Sequence, residues 1–217
     1  MVLAPWVIRN SLILGEFVGI SSETSEWFWR GNNAMVARGD SSSPRSPVLP
    51  GGADPLDRAD PGFRARILAA DEVGRMRLYR DAAAEFVREE PGRFIGLVAR
   101  KFFYFWWFRP ESGILYPGAW LVIYATFYSA LLVLAAGGFF RCLFARAWMD
   151  RADLIVVAGF LFSISLTQAL FYVEGRHRWG IEPVLLMLAG GGSSWFLRWA
   201  GFRPPRILLR RPGIGES

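Results

Sequence analysis

The chain has 217 residues, of which 53% are hydrophobic, 16% aromatic and 20% charged, with a formal net charge of +6. A chain so apolar and so weakly charged is not a disordered one. One cysteine, Cys142, and one histidine, His177, exclude a disulfide framework, a Cys-ligated zinc site and every motif that needs two histidines. No metal and no other cofactor is expected.

Met1 to Ile20 is apolar but broken by Pro5, Arg9 and Glu16, without the basic start or small-residue cleavage site of a signal peptide. Arg9 and Asn10 position a loop or, more simply, mark a helix exit that Trp6 holds at an interface. Trp27 and Trp29 either offer ring faces to a ligand or line that interface. Gly31-Asn32-Asn33 suits a ligand contact or a tight turn with positive φ. Residues 39–66 concentrate Ser, Pro, Gly and Asp, and read as an exposed flexible loop.

From Asp71 to Glu90 the pattern is helical. Val73, Met76, Tyr79, Ala83, Phe86 and Val87 share one stripe, Asp71 faces Arg75, Glu85 faces Arg88, and Pro91-Gly92 stops the run. This predicts an amphipathic surface helix over 71–90. Arg93 to Phe108 is apolar apart from Arg93, Arg100 and Lys101, and closes on seven consecutive aromatics. Aromatic rings collect at headgroup depth, so 93–108 reads as an interfacial helix, with a re-entrant or spanning helix as the alternative. Lys101 reads as a snorkelling anchor.

Three uncharged runs follow. Gly113 to Phe140 is 28 residues long, Leu154 to Val173 is 20, and Pro183 to Leu197 is 15. At about 1.5 Å per residue the first two match a hydrocarbon core of about 30 Å, and the third does so if Ile181, Trp199 and Phe202 extend it. The expected architecture is all-α and membrane-embedded. An extracytoplasmic segment over 1–112 precedes a membrane domain over 113–202, with spans near 120–140, 154–173 and 181–202, and a basic tail over 203–217. Arg141, Arg146 and Arg151 after the first span, and the five arginines from Arg198 to Arg211, place those ends in the cytoplasm. Residues 1–112 and the turn carrying Arg176 and Arg178 then face outward. Beyond residue 112 there are 10 basic against 5 acidic residues, so the basic excess is a topology signal and no nucleic-acid partner is expected. Cys142, beside the cytoplasmic loop, reads as an inert small residue.

Four stretches, Ala4 to Asn10, Trp29 to Asn33, Ala82 to Lys101 and Glu174 to Pro183, in that order, resemble the C-terminal half of the bacterial glycosyltransferase family 39 type. These are the polytopic GT-C membrane enzymes related to protein O-mannosyltransferases and to the aminoarabinose transferase of lipid A. His177 and Gly180 stand where that family usually has Tyr and Pro. The resemblance implies a multi-pass protein of the bacterial inner (plasma) membrane. It would transfer a sugar from a polyprenyl-phosphate-linked donor to an acceptor at the extracytoplasmic face, with membrane lipid around it. Such enzymes bind or deprotonate the acceptor with an acidic residue of an N-terminal outer loop. No residue here matches it, so a catalytic residue is not assigned, and the missing N-terminal half or a partner subunit is expected to supply one. Arg176, His177 and Arg178 are the donor-phosphate candidates, because forked cationic donors suit a phosphate whose charge grows as the sugar leaves. The other reading of those three is that they anchor a short turn at the headgroups. Trp29, Asn32 and Asn33 are the loop or sugar candidates. The alternative function is a non-catalytic membrane remnant or accessory subunit.

Overall fold

The computed structural model describes residues 3–19, 21–38, 55–108, 118–145, 149–171, 173 and 175–201, and its secondary structure among these is helical, with no strand. The chain divides into two compact units, Met1–Ala125 with Ala158–Glu182, and Thr126–Val157 with Pro183–Ser217.

The first unit opens with α1 (Ala4–Leu14), α2 (Thr24–Gly31) and α3 (Ala34–Arg38). It continues through α4 (Pro61–Ala69), α5 (Glu72–Glu89) and α6 (Pro91–Trp106). The loop expected over 39–66 ends early: Asp60 accepts from Phe63 N at 2.9 Å and Pro61 occupies the first turn, so α4 forms from Pro61 onward. Residues 39–54 lie outside the described residues. The helix expected over 71–90 is α5, capped by Asp71, which accepts from Gly74 N at 2.8 Å. That bond, rather than an ion pair to Arg75, is what Asp71 makes, and Arg88 donates to the Ala84 carbonyl instead of meeting Glu85. Met76, Tyr79, Ala83 and Phe86 are buried along the expected stripe.

One cluster joins Trp29, Ile67, Tyr79 and Ala83, so that α2 and α4 both pack on α5; a second joins Val36, Phe86 and Leu97 of α3, α5 and α6. Trp29 is the centrepiece of the first, with ring centroids 5.2 Å from Tyr79 and 5.4 Å from Phe63. Glu16, in the link after α1, bridges Arg77 at 2.6 Å and Arg80 at 3.4 Å on α5. The hydrogen bond to Asp81, supported by Glu16, raises the Arg80 guanidinium above its ordinary pKa.

Two helices, α7 (Gly118–Ala145) and α8 (Arg151–Leu170), are long and apolar enough to cross a membrane. They contain the expected spans at 120–140 and most of 154–173. The last expected span corresponds to α9 (Glu182–Trp199), which does not meet the same criterion of length and hydropathy. Gly190 to Gly192, Ser193 and Ser194 dilute its apolar character. Within the second unit α7 and α9 touch through glycines. A Cβ built on Gly138 would run into the Leu188 carbonyl, and one on Gly192 into the Leu134 carbonyl, so only the absence of side chains lets the two backbones approach. The basic tail over 203–217 lies outside the described residues.

Candidate functional site

The polar chemistry of the first unit gathers along α6. Its buried face presents Leu97, Lys101 and Phe105, spaced by four, while Ile95 and Phe103 stay exposed on other sides. Lys101 sits at the middle of that inward face with 3% of its surface exposed. Its ammonium donates to Asn32 Oδ1 at 2.8 Å and to the carbonyls of Phe171 at 2.9 Å, Gly31 at 3.2 Å and Leu170 at 3.4 Å. Three N–H groups thus serve four oxygens. The carbonyls come from the ends of α2 and α8, where unsatisfied C=O groups and the helix dipole concentrate negative potential, and this offsets the cost of burying a charge. The snorkelling expectation is therefore corrected: Lys101 turns inward because two chain segments, at the ends of α2 and α8, offer it oxygen.

Asn32 and Asn33 fold the turn after α2 with their side chains. Asn32 is fully buried at φ −142°, donates from Nδ2 to Phe28 O at 2.9 Å and to Leu170 O at 2.7 Å, and accepts from Lys101. Asn33 accepts from Met35 N and Val36 N, both at 3.0 Å, and donates to Trp29 O at 2.9 Å. It is the cap of α3. The turn forms with Gly31 helical and Asn32 at negative φ, and amide side chains supply the bonds. Trp29 is 4% exposed in the core cluster, so its ring faces are spent on Phe63 and Tyr79 rather than open to a sugar. Together with Asn33 it backs a shallow cleft of about 350 Å³ that Phe63, Phe86, Glu85 and Glu89 also line.

The second buried cation is Arg178, in a 3-10 helix over Gly175–Gly180. It is 2% exposed and donates to the α6 end, from Nε to Phe105 O at 3.0 Å and from one Nη to Trp107 O at 2.8 Å and Tyr104 O at 3.4 Å. Its guanidinium also lies 4.6 Å over the Phe108 ring. Phe108 meets Tyr124 of α7 edge-on at 5.4 Å, and the Tyr124 hydroxyl donates to Glu182 at the start of α9 at 3.3 Å. Arg178 thus closes the C-terminus of α6 as Lys101 closes that of α8. Of the other two phosphate candidates, His177 is half-buried in the same turn, and the Arg176 side chain lies outside the described residues.

No family model, no curated protein and no solved structure matches the chain. Among the described residues no cluster of three or more His, Cys, Asp or Glu is placed to hold a metal. The arrangement is built to join helix ends through cations, and it brings Asn32 to Lys101 and Arg178 to the α6 terminus. Sequence reasoning read Lys101 as an anchor at the membrane surface rather than as a buried donor, and did not single out Tyr124. One signal was available: the chain's sole lysine, among 24 arginines, stands directly before seven aromatics.

Proposed function

We propose that the chain is an integral protein of a bacterial inner membrane, crossing it with α7, α8 and α9. The observation that supports spanning is exposure: only 17% and 22% of the most apolar stretches of α7 and α8 are buried. A soluble core helix is mostly covered by its own protein, whereas Val122, Phe127 and Val133 of α7 and Ile155 and Val156 of α8 are bare. The glycine crossing of α7 with α9 supports the third span, because so close a backbone approach suits helices packing in lipid.

Within that membrane we read the chain as the C-terminal portion of a glycosyltransferase that uses a polyprenyl-phosphate sugar donor. An acceptor oxygen forms the new bond to the sugar C1 as the bond from C1 to the phosphate oxygen breaks. The carrier phosphate leaves with that electron pair, and the acceptor proton passes to a base that no residue here is assigned. Arg178 donates to the carbonyls of Phe105 and Trp107, so of the three phosphate candidates the reading now rests on Arg176 and His177. The test is transfer of labelled sugar from a polyprenyl-phosphate donor by membranes containing the protein. Arg176→Gln with His177→Gln is expected to reduce transfer at least tenfold, about 1.4 kcal/mol of lost phosphate stabilisation.

One observation favours the second reading, a non-catalytic accessory subunit. Trp29, Asn32, Asn33 and Arg178 are all at or below 5% exposure and engaged in internal packing or hydrogen bonds. If the membranes neither transfer sugar nor bind polyprenyl phosphate saturably, that reading replaces the first.

A further inference from the structure

Helix α1 is assembled inside out. Its residues Val7, Asn10, Ser11 and Leu14, spaced i, i+3, i+4 and i+7, form its half-buried face, and two of these four are polar. Ser11 exchanges hydrogen bonds with the backbone of Val18 at 3.1 and 3.2 Å, and Asn10 donates to the Gly19 carbonyl at 3.5 Å. The opposite face carries Trp6, Ile8, Leu12 and Ile13, and with Phe17 just beyond, each is at least 51% exposed. The helix contains no buried residue. In a water-solvated helix the polar side chains point out and the apolar ones point in. Here the exposed face is the more apolar of the two.

We propose that the outer face of α1 lies against the lipid bilayer at its interface, as a membrane contact additional to α7, α8 and α9; this rests on the membrane reading above. Two features select lipid over a protein partner. Arg9, the one charged residue of α1, sits amid the apolar face with its guanidinium 5.2 Å over the Trp6 ring. At headgroup depth that pair is at home, the indole at the boundary and the cation beside lipid phosphates, whereas a protein interface would have to supply a buried counter-charge. The helix is also bounded, with Pro5 in its first turn and Gly15 in the left-handed region at φ 67°. Its 11 residues reach about 16 Å, roughly half a hydrocarbon core, which suits lying in the interface. Beyond it Glu16 is fastened to Arg77 and Arg80, so the exit of α1 is held to the charged surface of α5.

The experiment uses the full chain with Cys142→Ala, reconstituted in phosphatidylcholine–phosphatidylglycerol vesicles. An environment-sensitive fluorophore is attached singly at Leu12→Cys, Ile13→Cys, Val133→Cys on α7, or Glu89→Cys on α5. The expected result is a blue-shifted emission at positions 12, 13 and 133 that nitroxide-labelled lipid quenches and aqueous iodide does not, with the reverse at 89. Lipid quenching at 133 with iodide quenching at 12 and 13 overturns the α1 contact and leaves the membrane reading standing. Positions 12 and 13 shielded from both quenchers also overturn it, since a protein surface then covers α1. Iodide quenching at 133 removes the membrane reading and this inference with it. Unchanged helical circular dichroism of each labelled variant shows that position, and not misfolding, is being read.

Discussion

At the scale of single residues, stability in the first unit turns on side chains that serve backbone oxygens. Lys101→Met removes the donor from three carbonyls and from Asn32 Oδ1, so we expect a loss of about 2 kcal/mol in denaturant unfolding of the purified protein. Asn32→Ala removes a partner of the same node, and the double variant should lose less than the sum of the single losses. Strict additivity would mean that the two residues act separately. Asn33→Ala tests a smaller local device. It deprives Met35 N and Val36 N of their acceptor and should cost about 1 kcal/mol, the usual worth of a helix cap. Arg178→Lys keeps the charge but loses the fork that reaches Phe105 and Trp107 together, and a similar loss of about 1–2 kcal/mol is expected.

At the scale of elements, the crossing of α7 with α9 makes the sharpest contrast. Gly137 and Gly138 are neighbours in sequence, yet a Cβ on Gly137 meets nothing within 4 Å while one on Gly138 collides with the Leu188 backbone. Gly138→Ala should therefore destabilise the pair by about 1–3 kcal/mol, and Gly192→Ala likewise, whereas Gly137→Ala should be neutral or stabilising by up to about 1 kcal/mol through better helix propensity. Equal effects at 137 and 138 would mean that the two helices do not approach in this way. The same scale shows how helix starts were legible. Asp71 before α5 is an ordinary cap, and Asp60-Pro61 before α4 carries the same signal, but the latter lay inside a run whose composition suggested a loop. Composition averages over many residues, while a helix start depends on two or three.

At the scale of the whole molecule, the proposed topology has one direct readout. With Cys142→Ala as background, a membrane-impermeant maleimide applied to intact spheroplasts should label Trp179→Cys, in the turn between α8 and α9, and should spare Asp150→Cys until the cells are lysed. Both native side chains are exposed, so access rather than burial decides the result. The opposite pattern would invert the orientation read from the arginines, and labelling of both sites in intact spheroplasts would discard the spanning model.

Sequence alone determined the helical class, the amphipathic stripe of α5 and the long apolar runs of α7 and α8, because each is a property of periodicity or length along a continuous stretch. Arg176, His177 and Arg178 stood out from sequence as phosphate candidates, and so did Trp29, Asn32 and Asn33 as loop residues. Their partners did not, since Lys101 meets Asn32 across 69 positions and Arg178 meets Phe105 across 73. Only the tertiary structure decided that Asn32, Lys101 and Arg178 turn inward. Once the ends of α2 and α8 meet the inner face of α6, and the 175–180 turn meets its end, clustered carbonyl oxygens make burial of a cation less costly than leaving those oxygens without donors. The glycine crossing has the same origin: Gly137 and Gly138 differ only in what lies opposite, which is set by the partner helix.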